Sequence, residues 1–547
     1  MSNTNDTTDP GGWTLMFFFA GDNALAPIMV SELKALKDAG YQLDTTVLAH
    51  FDPNEPGAPT RVYNVNRARK ERAAGSRIGD GKDPFVRNLN EDRVEPGALD
   101  EGAGVATARF KKGLAGSDKT DVREALTDFL GYCLESHRAA HYMLFLIGHG
   151  MIVGNDAFLP DDHVEGRDDA PGAPPVAALS LKQLEAILRP FGARARDGGG
   201  EFELLSMHSC SMSSAEVVYQ LKGTARYMMA TQGISFVGSW PYRQLLKKTF
   251  NAVEEARKAG DEVNVGELVN RLYDLSLHNS TDFLSAGYSA DLCLCRLEAE
   301  KVEALKEPLQ TLAEKLKLGL EDERGKEHIL LAHWKAQSFW HETYTDLFDF
   351  CKCLDESCAA ELKAKGEGES VEPQRAMRDA CAGMMKAVSH LVKRTEAVGS
   401  KYQYSHGLSI YFPWSRPVGD VDRDILKRYE QEYAITTEMG EHTWLSFLNS
   451  YFDKTMRRSR SEEDGVASPP ATETLKATTE DFAGSLGPGP GSKPTPEMGS
   501  KPSPEVGAFC GCPSIKNYPE QVVELPGRRR RRCKQADFTP GAWEALK

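Results

Sequence analysis

Two reactive side chains stand out by where they fall in the chain. The apolar run Tyr142–Ile147 ends in Gly148-His149-Gly150, and the run Phe202–Met207 ends in His208-Ser209-Cys210. An imidazole beside a thiol can take its proton and later return it to a leaving amine, which is the chemistry of acyl transfer through a thioester. Glycines around the histidine permit close approach of a substrate, and the Gly150 N–H is a candidate donor to an oxyanion. A helix pattern follows Cys210, and a helix N-terminus favours a thiolate.

The elements that must position these residues read as an α/β alternation. Trp13–Ala20 and Tyr142–Ile147 are continuous apolar runs, as in strands covered on both faces. Thr45–Ala49, Phe202–Met207 and Tyr227–Thr231 read as further strands. Ala26–Ala39 and Asp121–Ser136 show helical periodicity, the second with Asp121 as its N-cap and Val122, Leu126, Phe129 and Leu130 on one face. Ser180 and Gln183 form a capping box ahead of the stripe Leu181, Leu184, Ile187 and Leu188. Such alternation implies a mainly parallel sheet with right-handed crossovers, whose ligands bind beyond the carboxyl ends of the strands. Adjacent parallel strands would bring His149 and Cys210 together across 61 residues of chain.

Residues 12–250 are therefore expected to hold the catalytic core, flanked by a disordered stretch at 1–11. From 251 to 453 the pattern is mostly helical, as in Pro308–Leu318, with a late strand at Leu408–Phe412. Residues 454–547 carry 12 of the 29 prolines and two tandem copies, GSKPTPEM and GSKPSPEV, and read as a disordered low-complexity tail.

Composition narrows the function. A net charge of -14 argues against nucleic acid as the main partner. The polar start MSNTNDTTDPGG lacks a basic segment followed by an apolar one, so no export signal is expected, and no run is long enough to span a bilayer. Eleven cysteines are too sparse for a disulfide scaffold, which points to a reducing cytoplasm and buried thiols. Cys293/Cys295 and Cys351/Cys353/Cys358 lack the paired spacing of zinc sites. No metal or cofactor is expected. The five arginines Arg528–Arg532 read as solvated tail charge.

The chain resembles the clostripain-like cysteine peptidases of the caspase-related clan from Trp13 to Phe452. The resemblance is carried, in order, by Ala20-Gly21-Asp22-Asn23, Gly148-His149-Gly150, and Ser209-Cys210-Ser211-Met212 with Glu216 and Tyr219 behind it. Ala230-Thr231-Gln232, Trp240-Pro241-Tyr242 and Gly407-Leu408-Ser409-Ile410-Tyr411-Phe412-Pro413 continue the series. The His-then-Cys order across a strand–helix–strand unit matches the caspase arrangement. The resemblance implies a monomeric endopeptidase acting on protein or peptide substrates. It makes Cys210 the nucleophile, His149 the base, and the Gly150 and Cys210 amides the oxyanion hole. His208, Gln232, Trp240 and Tyr242 become the substrate-binding residues.

One departure bears on specificity. The family carries Asp two residues before the nucleophile, where it binds a basic P1 side chain; here that position is His208. The only acids between Ser211 and Lys258 are Glu216, Glu254 and Glu255, and Glu216 is expected to point away from the cleft. A guanidinium without a carboxylate partner is costly to bury. A neutral His208 suits a polar or small P1 group, a protonated one with Arg243 an acidic group, and residual basic specificity stands level with both. The loop Met151–Leu179, with Arg167, is a candidate for activating cleavage. Asp161 and Asp162 are candidate calcium ligands, although two adjacent carboxylates make a poor site alone. Two other readings stay open: a catalytically silent scaffold that binds partners, and a protease effector active only on a trigger.

Overall fold

A computed structural model describes residues 12–52, 60–65, 122–151, 153, 158–161, 177–279, 289–340, 342–364, 372–417, 425–440 and 443–455. Asp121, Asp162, Arg167, most of the loop that follows Met151, and both termini lie outside the described residues.

The first half contributes β1 (Trp13–Phe19), β2 (Thr45–Phe51), β3 (Arg61–Asn64), β4 (His141–Ile147), β5 (Phe158–Asp161), β6 (Ala177–Leu179), β7 (Glu201–His208) and β8 (Tyr227–Ala230). The second half adds β9 (Ala290–Arg296), β10 (Ser338–Phe339), β11 (Tyr344–Asp346), β12 (Val392–Val398) and β13 (Ser409–Tyr411). Eight of these form one sheet in the order β12-β9-β8-β7-β4-β1-β2-β3. Its five central strands, from β8 to β2, run parallel, while β3 pairs antiparallel with β2, β9 with β8, and β12 with β9.

The period-two geometry of a strand divides β1 between two apolar layers. Met16 and Phe18 face one layer; Trp13, Leu15, Phe17 and Phe19 face the other. On the second face pack α1 (Ala26–Asp38) and, from further along the chain, the helices 242–259 and 265–279. On the first pack α2 (Val122–Ser136), α3 (Leu181–Asp197) and α4 (Ala215–Gln220). The Phe17 ring stacks on Phe145 at 4.4 Å, tying β1 to β4. Truncating such a buried ring to alanine costs about 3–5 kcal/mol. The capping box of α3 is present: Gln183 N–H donates to Ser180 Oγ at 3.2 Å, and Ser180 N–H donates to Gln183 Oε1 at 2.8 Å.

One expectation about the second half changes, and the late strand is present. Residues 251–453 are rich in helix, yet β9 and β12 complete the main sheet, so a boundary at 250 would cut through it. The late strand β13 joins β10 and β11 in a separate three-stranded sheet. It abuts the first half directly, because Ser409 N–H donates to Ser213 C=O at 3.1 Å. The apolar layer of the helical part is continuous with that of the first face of the sheet.

Candidate active site

Register places the two reactive residues side by side. β4 and β7 are parallel neighbours with Ile147 opposite His208. His149 and Cys210 therefore each lie two residues past a paired position. The Gly148 N–H donates to His208 C=O at 3.4 Å, extending the contact beyond the strands. A Cβ on Gly150 would fall 1.8 Å from the Cys210 carbonyl oxygen and 2.7 Å from its amide nitrogen, so the histidine loop lies against the cysteine backbone. Only glycine fits that approach.

The turns on both sides are held tightly. Ser211 and Leu159 adopt left-handed backbone angles, φ 57° and φ 52°, unusual for residues with a side chain. Ser211 follows the thiol directly, and Leu159 N–H donates to the His149 carbonyl at 3.2 Å. Asn23 secures the neighbouring loop by donating to the carbonyls of Ala20 and Pro160 at 2.9 and 3.1 Å. Strain of this kind, about 1–3 kcal/mol per residue, persists where the surroundings over-determine the backbone.

Cys210 is 1 % exposed and His149 8 % exposed. The Cys210 sulfur is bracketed by one residue: Ser235 N–H donates to it at 3.3 Å, and the thiol donates to Ser235 C=O at 3.4 Å. The His149 Nδ1 is buried without a hydrogen-bond partner among the described residues. The helix expected directly after Cys210 starts later: α4 begins at Ala215 with Ser214 as its N-cap, so its dipole does not end at the sulfur.

Ser235, which brackets the thiol, also lines a small cleft with Thr231, Ile234, Trp240, Ser289 and Asp291 among others. Of the four expected substrate-binding residues, Trp240 lines it. The other three stand behind it. Gln232 is buried, donating from Nε2 to Asp346 at 2.9 Å and accepting from the Gly407 N–H at 2.8 Å. His208 is 0 % exposed, with Nε2 at 2.8 Å from Ser206 Oγ and Nδ1 at 2.8 Å from the Tyr242 hydroxyl, which is itself buried. Burial holds the His208 imidazole neutral, its pKa well below the usual histidine range. A protonated His208 greeting an acidic substrate is therefore corrected. Glu216 points away from the cleft, accepting from the Tyr411 N–H and the Tyr429 hydroxyl at 2.9 and 2.8 Å.

Sequence reasoning missed Ser235 and Asp291. The Asp291 carboxylate is the one acid among the lining residues and accepts from the N–H groups of Gln232 and Gly233 at 2.6 and 2.9 Å. Burial raises its pKa to about 6 against those bonds. Its place within a stretch of mostly helical pattern hid it. The apolar run Leu292–Cys295 behind it was the available sign of a strand.

Asp161 lines a small cavity with Asp22, Asp52 and His50. Among the described residues no group of three or more His, Cys, Asp or Glu side chains could hold a metal. Cys293 and Cys295 are buried with their sulfurs 3.3 Å apart, Cys351 and Cys358 are buried, and Cys353 is half-buried. No described helix is long and apolar enough to cross a membrane.

A mostly parallel sheet carrying a histidine and a cysteine on adjoining strand-end loops defines the class: a caspase-related α/β fold with a Cys–His pair. The chain belongs to the clostripain family of C11 peptidases, whose pattern it matches over residues 99–451. No curated protein matches it. Among solved structures it is similar to a secreted C11 cysteine protease from Bacteroides thetaiotaomicron in complex with an irreversible peptide inhibitor. That match has 13 % identity and a TM-score of 0.45, covering 81 % of this chain and 99 % of that one. It is also similar to an inactive zymogen C11 protease from Parabacteroides distasonis, at 13 % identity and a TM-score of 0.44, covering 77 % and 96 %.

Proposed function

We propose that the chain is a cysteine endopeptidase in which Cys210 attacks the scissile carbonyl and His149 serves as base and then acid. The observation that carries this reading is the packing of Gly150 on the Cys210 backbone, which brings the histidine loop and the thiol to one point. In the reaction the Cys210 proton passes to His149 and the sulfur bonds to the carbonyl carbon. The tetrahedral oxyanion is met by the Gly150 and Cys210 amides. His149 then protonates the leaving amine, and a water deprotonated by His149 hydrolyses the thioester.

For P1, Asp291 supports a basic side chain over the polar, small or acidic groups that His208 suggested. A buried carboxylate in the cleft supplies the partner that a guanidinium or ammonium needs. At 1 % exposure, Cys210 meets a peptide substrate only once the cleft opens. The cytoplasm as compartment, on cysteine usage, and a monomer as working unit, on the family resemblance, remain part of the proposal. Calcium enters no step.

The test is cleavage of a diverse peptide library by wild type and Cys210→Ala, read by mass spectrometry with and without calcium. Cuts present only with wild type, enriched after Arg or Lys, are expected. Identical patterns from the two proteins would favour the silent scaffold.

A further inference from the structure

We propose that His208 is a positioning residue for the Cys210 thiol, acting through Trp240 and Ser235; this deepens the peptidase reading and rests on it. The imidazole lies flat on the Trp240 indole, with ring centroids 3.6 Å apart and planes 8° from parallel. Its other neighbours fix its plane: the Phe145 ring meets it edge-on at 5.6 Å, and both ring nitrogens are hydrogen-bonded, to Ser206 and Tyr242. A ring held in this way gives the indole a fixed flat face, and the indole lies on it in one orientation.

That orientation aims the indole N–H at Ser235. Trp240 Nε1 donates to Ser235 Oγ at 3.0 Å. The backbone of the same serine brackets the sulfur, donating at 3.3 Å and accepting at 3.4 Å. His208, Trp240, Ser235 and Cys210 thus form one buried chain of contacts. In a low-dielectric interior each link is electrostatically stronger than in water, and a broken one leaves a costly unpaired group. Neutral imidazole suits the role because it fills both polar contacts without carrying a charge into the core. Glu32, on α1, has its pKa raised by burial to about 7, and its charge bears on Tyr242, the partner of the His208 ring.

The consequence is chemical. The Ser235 C=O accepts from the thiol and favours its protonated form, but the Ser235 N–H meets the thiolate with a charge-assisted bond, the stronger of the two, so loosening Ser235 should make the thiol harder to deprotonate. His208 acts at second hand and does not touch substrate. A small neutral alkylating agent, which needs no substrate pocket, can therefore report its effect.

The experiment follows alkylation of Cys210 by iodoacetamide from pH 5.5 to 9.5, resolved by mass spectrometry, alongside melting curves and peptide kinetics. The proteins are wild type, His208→Gln, Trp240→Phe, Ser235→Ala and the His208→Gln/Trp240→Phe double variant. Each single variant is expected to slow alkylation at neutral pH by about tenfold and move the pH midpoint upward. The double variant is expected to be no slower than its slower parent, because both changes cut one chain. Ser235→Ala removes only a hydroxyl, so its result stands if His208→Gln fails to fold. A lower melting temperature with an unchanged alkylation rate and midpoint would overturn the proposal in favour of a purely structural role. Unchanged alkylation with a raised KM would overturn it in favour of substrate contact. Wild-type Cys210 reacting no faster than free cysteine would instead remove the peptidase reading beneath it.

Discussion

The parallel centre of the sheet and its antiparallel rim do different work. The centre, β1, β4 and β7, sets the reactive pair: continuous apolar strands fix the register, and register alone brings His149 beside Cys210. The rim, where antiparallel β9 pairs with the last parallel strand β8, shapes the cleft. Its acid, Asp291, arrives from 81 residues beyond Cys210 and meets the site through antiparallel pairing of β9 with β8. Catalytic geometry therefore depends on local strand pattern, whereas the expected selectivity depends on a distant pairing.

The strongest way to break this contrast is at the centre. Gly150→Ala would drive a methyl into the Cys210 carbonyl, 1.8 Å from where its Cβ must go. Peptidase activity on any P1 residue is expected to fall about 100-fold or more, since small displacements of reacting groups carry costs of that order. Steady-state kinetics of the folded variant check it.

Asp291→Asn tests the rim. Removing the charge is expected to lower kcat/KM for Arg and Lys substrates by about 30-fold, the equivalent of about 2 kcal/mol for a charge-assisted hydrogen bond. Substrates with a neutral P1 should change far less. A uniform loss across all P1 residues would show that Asp291 serves only the Gln232–Gly233 backbone.

The two regions should also respond oppositely to pH. His50 on β2 is buried against Phe18, at 4.2 Å, and burial lowers its pKa to about 3. Its contribution to stability is present above the unfolded histidine value near 6.5 and is lost as pH falls from there towards 3. Asp291, raised to about 6, has the reverse sign: its contribution is present below the unfolded value near 3.8 and is lost as pH rises through 6. Denaturant melts at pH 6.5 and 4.5 should show His50→Phe gaining about 2 kcal/mol on wild type over that interval. An equal slope in both proteins would contradict the assignment.

The smallest expected effect lies on α3, beside the centre. Ser180→Ala removes the capping box and should cost about 1 kcal/mol in denaturant melts with little change in activity. A large loss of activity would mean that α3 is coupled to the site.

The same contrast explains what was legible in the sequence. The runs Trp13–Phe19 and Tyr142–Ile147 announced themselves because strands buried on both faces must be continuously apolar. The capping box showed because its two residues bond each other across three positions. β12 did not, since its residues are mostly half-buried and mix charges with apolar groups, giving no clear period. His208 was misread for a physical reason too: it stands two residues before the nucleophile, but its side chain turns under Trp240, and strand-face direction near a turn is not readable from spacing. Ser235 acts through its backbone, which leaves no mark in residue type.

The central claim is that Cys210 and His149 react as a pair. The most direct measurement is the intact and peptide mass of the protein after treatment with an irreversible electrophilic peptide carrying Lys at P1, for wild type, Cys210→Ala and His149→Ala. The account predicts one adduct, at Cys210, absent in Cys210→Ala and formed at least about 100-fold more slowly in His149→Ala. Labelling of half-buried Cys353 in its place, or labelling of Cys210 at equal rates with and without His149, would contradict it.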